Sequence, residues 1–95
     1  MNQYEVLYAI TPELDDETNQ AVMDKFAGII TDNGGEIVKT DVWGKRRYAY
    51  TIDYKTEGFY VLVNFDAEPT LPRELERNMK NDERIMRYMV TRREA

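Results

Sequence analysis

The residues best suited to chemistry are cations interleaved with planar groups, in Trp43-Gly44-Lys45-Arg46-Arg47-Tyr48-Ala49-Tyr50. Three consecutive cations beside Trp43 and Tyr48 combine charge for phosphates with rings for stacking or packing. The same pattern on an exposed edge strand would also block sheet-to-sheet aggregation, so the segment alone supports both readings about evenly. Arg84, Arg87, Arg92 and Arg93 near the other end of the chain tilt the balance toward a polyanion.

Other chemistries lack their residues. The chain has no cysteine and no histidine. A disulfide scaffold, a thiolate metal site, a cysteine nucleophile and the usual general base near neutral pH are therefore excluded. The acids Glu13, Asp15, Asp16 and Glu17 sit where a helix N-terminus favours negative charge, and no supporting motif makes them a magnesium site. Gly34-Gly35 is not followed by the Gly-Lys-Ser/Thr of a phosphate loop and reads as punctuation. Glu57-Gly58-Phe59-Tyr60-Val61 keeps only the Gly-aromatic step of an RNA-recognition motif, which chance supplies easily. The expectation is a non-enzymatic protein with no cofactor and no metal.

The net charge of −5 argues against nucleic acid only as an average over two unlike parts. Residues 1–38 carry −7 and residues 39–95 carry +2, with twelve of the thirteen bases in the second part. Local field, rather than net charge, decides where a polyanion lands.

The elements that must position these cations follow from periodicity. Tyr4, Val6, Tyr8 and Ile10 alternate with Gln3, Glu5, Leu7 and Ala9, which predicts a half-buried strand ended by Thr11-Pro12. Val22, Phe26, Ile29 and Ile30 form one apolar face of a helix that Asn33-Gly34-Gly35 stops. Residues 36–53 read as mostly extended, with Gly44 marking a bulge or bend. Residues 54–58 read as a short turn, and 59–65 as a central strand. Pro69 and Pro72 flank the start of a second helix, with Leu71, Leu75 and Met79 on one face. It ends at Asn81-Asp82, and residues 85–91 alternate in a last strand.

Strand, helix, strand, strand, helix, strand is the order of a ferredoxin-like split β-α-β sandwich, an α+β fold. The 95 residues suit a single domain (1–95) whose four-stranded antiparallel sheet carries two helices on one face. Tyr60 and Leu62 should then lie on the open face, with the second and fourth strands at opposite edges. The two basic clusters could accordingly form two contact areas rather than one. No apolar run approaches the ~20 residues of a membrane helix, and a cytoplasmic protein without membrane attachment is expected.

Four blocks carry a family resemblance: Met1-x-x-Tyr4-Glu5-Val6, Gly44-Lys45-Arg46-Arg47-x-Ala49-Tyr50, Gly58-Phe59-Tyr60, and Arg87-x-Met89-Val90. Together they resemble the bacterial small-subunit ribosomal protein six family over essentially the whole chain. The family's fold is the same split sandwich. The resemblance implies binding to the central domain of small-subunit ribosomal RNA, as a heterodimer with the basic small-subunit ribosomal protein eighteen, and no DNA partner. Trp43, Lys45, Arg46, Arg47 and Tyr50 are its implied partner-and-RNA residues, and Arg87 its implied RNA contact. Asn2 and Gln3 stand where many members carry arginine, which weakens the case for an RNA contact there. Tyr48 and Thr51 replace the common leucine and proline of the edge strand. A basic partner would also explain an acidic ribosomal protein, since complementary charge steers encounter.

Two fold-mates offer other functions. A small-molecule-binding regulatory domain would need a pocket and would leave Lys45-Arg46-Arg47 unused. An acylphosphatase-like enzyme would need an arginine in the loop after the first strand, where Ile10-Thr11-Pro12-Glu13 offers acid.

Overall fold

The computed structural model describes residues 1–47 and 57–93, with Arg47 by its backbone alone. Its elements run β1 (Asn2–Ile10), α1 (Asp16–Asp32), β2 (Glu36–Arg47), β3 (Glu57–Ala67), α2 (Leu71–Lys80) and β4 (Ile85–Arg92). All pairings are antiparallel, in the order β2-β3-β1-β4. This is the ferredoxin-like α+β arrangement, with both helices on one face of the sheet.

Alternation decides which side chains meet the helices. Tyr4, Val6, Tyr8 and Ile10 of β1 and Val61, Val63, Phe65 and Ala67 of β3 are buried beneath them. Helix α1 contributes Val22, Phe26 and Ile30, and α2 contributes Leu71, Leu75 and Met79. Ile29 packs at the margin, half-buried. Phe26 lies against Tyr8 with ring centroids 5.8 Å apart, and Tyr4 stacks on Phe65 at 5.7 Å. Burial pushes the Tyr8 hydroxyl above its usual range, reinforced by the nearby Asp24.

Local chemistry sets the ends of α1. Asp15 is the N-cap, accepting from the Thr18 N–H at 2.8 Å, and hydrogen bonds from Thr18 hold its carboxyl below the usual range. At the other end Gly34 takes φ +84°, and the Gly35 N–H donates to the Ile30 carbonyl at 2.8 Å. A Cβ on Gly35 would lie 2.8 Å from that carbonyl and 2.9 Å from the Leu71 side chain. Both glycines are thus required, for different reasons.

Strand β2 departs twice from regular pairing, at Val38 and at Trp43, each an extra residue against β3. Gly44, at φ +77°, follows the second bulge, where only glycine is comfortable. Of the bulge or bend expected at Gly44, the structure has the bulge. One boundary differs from the sequence reading. Glu57 and Gly58 belong to β3, because they pair with Arg47 and Arg46 instead of turning. The remainder of that turn, 54–56, and the expected continuation of β2 through 48–53 lie outside the described residues.

An ion cluster ties α1 to the connection between α2 and β4. Asp82, with its side chain 5% exposed, accepts from Lys25 Nζ of α1 at 2.9 Å. It also accepts from Arg84 through the backbone N–H (3.0 Å), Nε (3.0 Å) and Nη2 (2.8 Å). The Arg84 guanidinium, with help from Lys25, holds the Asp82 carboxyl well below the usual carboxylate range despite its burial.

Candidate nucleic-acid and partner interface

Period-two geometry and register assign the face opposite the helices. Pairing aligns Gly44, Tyr60, Ala9 and Arg87 in one row across the four strands. Arg46, opposite Gly58, stands in the next row toward the end of the sheet. Asp41, Leu62, Leu7 and Met89 form a row on the other side, and Lys39, Asn64, Glu5 and Thr91 the row beyond it. Leu62 and Tyr60 thus occupy the open face, as alternation predicts. Tyr60 is nevertheless buried, 3% exposed, whereas Met89 is 61% exposed.

The expected site residues distribute as follows. Trp43, the extra residue of the bulge, is half-buried, and its Nε1 donates to Asp41 Oδ2 at 3.3 Å. Lys45 and Arg46 are exposed, and as consecutive strand residues they leave opposite faces of the edge strand. Arg46 Nε donates to the Trp43 carbonyl at 3.1 Å, so its guanidinium folds back across the bulge. Arg47 pairs through its backbone with Glu57. Tyr50 lies outside the described residues. Arg87 is half-buried on β4, across β1 from Tyr60.

β2 and β4 are indeed opposite edges, but register adds what order alone does not. Arg46 and Arg87 lie toward the same end of the sheet, where β1 finishes, β3 starts and β4 starts. Three strand spacings of about 4.8 Å separate them laterally, roughly 14 Å. Arg92 and Arg93 lie at the other end, where Arg92 pairs with Tyr4 and the Arg93 N–H donates to the Gln3 carbonyl at 2.8 Å, so a polyanion along the first end can meet the edge-strand cations and Arg87 alone. The apolar row Leu62, Leu7 and Met89 borders that end, flanked by Asp41.

Two cations of the C-terminal cluster have side-chain partners within the chain. Arg84 is committed to Asp82, and Arg92 Nη2 donates to Asn2 Oδ1 at 3.2 Å. Sequence proximity grouped Arg84 with Arg87, but its guanidinium turns back to the acid two residues before it. Lys39, exposed on β2 in the row of Asn64, adds a cation to the open face. Its position could not be read from alternation, because the bulge at Val38 reverses the phase.

Among the described residues no group of three acids is arranged to hold a metal ion. No described helix is long and apolar enough to cross a membrane. A groove of about 220 Å³ between α1 and β2 is lined by core residues such as Val6, Phe26 and Val63 and by the exposed Val42.

The family model described as ribosomal protein S6 matches residues 3–92. Small ribosomal subunit protein bS6 of Exiguobacterium sibiricum is 50% identical over 92 residues, covering 97% of each chain. The bS6 protein of Desulfitobacterium hafniense is 47% identical over 94 residues, covering 99% of each. The crystal structure of 30S ribosomal protein S6 from Thermotoga maritima superposes with a TM-score of 0.90 at 28% identity. It covers 97% of this chain and 87% of that one. With the same fold, a family match over nearly its whole length and relatives at half identity, the chain belongs to the ribosomal protein S6 family, whose members are structural proteins rather than enzymes.

Proposed function

We propose that this protein is a structural component of the small ribosomal subunit that binds the central domain of its RNA together with the basic small-subunit ribosomal protein eighteen. The observation that carries this reading is the shared sheet end of Arg46 and Arg87, which brings the edge-strand cations and Arg87 into one basic rim. Phosphate contacts from such a rim position the protein without reading sequence. Lys45 and Arg46 leave opposite faces of the edge strand, so the same segment serves RNA on one side and a protein on the other. Trp43, Arg47 and Tyr50 complete this partner-facing edge, and Arg87 is the RNA contact on β4.

Charge gives the division of labour its logic. The first 38 residues carry −7 and suit a basic protein, and they keep the unpartnered chain from coating RNA indiscriminately. A small-molecule regulatory domain has less support. The α1–β2 groove, at about 220 Å³, is smaller than the about 300–1,000 Å³ usual for ligand sites. The ribosome, in the cytoplasm, is the place where the proposed partners meet.

Isothermal calorimetry tests the reading. The chain is titrated with ribosomal protein eighteen, and the pair is then titrated with a central-domain RNA fragment and with an unrelated RNA of equal length. Pairing followed by preferential binding of the central-domain fragment is expected. Absence of both pairing and preference would overturn the proposal.

A further inference from the structure

We infer that Asp82 is an internal charge mask, which occupies Lys25 and Arg84 and withholds these two cations from polyanions. Its two oxygens receive four donors: Arg84 N–H and Nε on Oδ1, and Lys25 Nζ and Arg84 Nη2 on Oδ2, all between 2.8 and 3.0 Å. A carboxylate offers about four lone-pair sites, so this one is saturated. It sits 5% exposed, whereas the side chains of Arg84 and Lys25 are 35% and 41% exposed. The cations reach the surface and the acid that holds them does not.

Location gives the mask a purpose. The Arg84 carbonyl accepts from the Thr11 N–H at 2.9 Å, which places Arg84 at the sheet end that carries Arg46 and Arg87. A freed guanidinium there would enlarge the basic rim with charge unrelated to the proposed contacts. Held together, Asp82, Lys25 and Arg84 present one positive charge fewer to a passing RNA, and the Arg84 guanidinium stays on the carboxylate instead of joining the rim of the edge strand and Arg87. Such a mask serves the RNA-binding reading above and rests on it for its purpose, while its first test needs no ribosomal component.

That test is binding of the whole chain to poly-uridylate at several salt concentrations. Asp82→Asn keeps the shape and one hydrogen-bonding oxygen but removes the charge. It should steepen the salt dependence by about 0.7–1.4 in log–log slope, one or two extra phosphate contacts on a single strand. Adding Arg84→Gln to Asp82→Asn should return the slope toward the parent value. An unchanged slope in folded Asp82→Asn would overturn the mask. If Asp82→Asn does not fold, Lys25→Gln with Arg84→Gln decides: masked cations can be removed with the parent slope intact, and a slope lower by about 0.7 or more refutes masking. Failure of the parent to bind central-domain RNA with its protein partner would count against the proposed function and leave these poly-uridylate results standing.

Discussion

Replacing Phe26 with alanine removes the ring that α1 lays against β1. The ring is 1% exposed and pairs with Tyr8 at 5.8 Å, so nearly all of its surface leaves water on folding. Buried aromatic-to-alanine changes cost about 3–5 kcal/mol. Loss of the aromatic pair, about 0.5–1.5 kcal/mol, pushes toward the upper end. The adjacent groove and the flexible thioethers of Met23 and Met79 lining it push the other way, because they let the site collapse. The expected loss is therefore about 4 kcal/mol, a large share of the about 5–15 kcal/mol that holds a typical domain. Urea denaturation followed by circular dichroism reads it as a lower midpoint, and a thermal melt as a fall of roughly 15–30 °C. Arg46→Ala is the matched control: its side chain is exposed, and the change should stay within about ±0.5 kcal/mol. A Phe26→Ala loss below about 1.5 kcal/mol would refute this packing of the helix layer, where the bookkeeping allows about 3–5. An Arg46→Ala loss as large as that of Phe26→Ala would make the edge cation structural.

Further outcomes follow from single contacts. Gly35→Ala should destabilise by about 1–3 kcal/mol in the same urea assay, since its Cβ meets the Ile30 carbonyl at 2.8 Å; a neutral result would show that the α1–β2 junction shifts freely. The Asp82 carboxyl is held below its unfolded value, so its contribution is complete above about pH 4 and is lost as pH falls through the folded pKa. The stability gap between parent and Asp82→Asn, about 2–3 kcal/mol at neutral pH because both partners are part-exposed, should accordingly shrink in acid. A gap constant from pH 6 to pH 2 would mean that Asp82 acts through shape and not charge.

How far the sequence declares the structure depends on the range of the interaction. Element order, the helix faces around Phe26 and Leu75, the cap at Gly34 and the irregularity at Gly44 are local, and alternation or residue type declares them. Glu57-Gly58 reads as a turn by residue type, whereas pairing with Arg47 and Arg46 extends the strand. The phase of Lys39 was hidden by the bulge at Val38, since one extra residue moves every later side chain to the other face. The alignment of Arg46 with Arg87 toward one sheet end needs the register of three strand pairs, which composition does not hold. The commitment of Arg84 was equally invisible, because Asp82 looked like a helix terminator and its second partner, Lys25, is 57 residues away. The basic rim was thus legible in residue type and illegible in extent.

The salt dependence of RNA binding by the protein pair puts the rim to the test. Parent, Arg87→Ala and the double variant Arg46→Ala with Arg47→Ala are each paired with ribosomal protein eighteen and titrated with central-domain RNA at several salt concentrations. Arg87→Ala should leave pairing intact, weaken RNA binding and lower the salt slope by roughly one. The double variant should weaken pairing, RNA binding or both. If every variant pairs and binds with the parent's affinity and slope, the cations only guard the edge strand against aggregation, and the rim does not contact RNA.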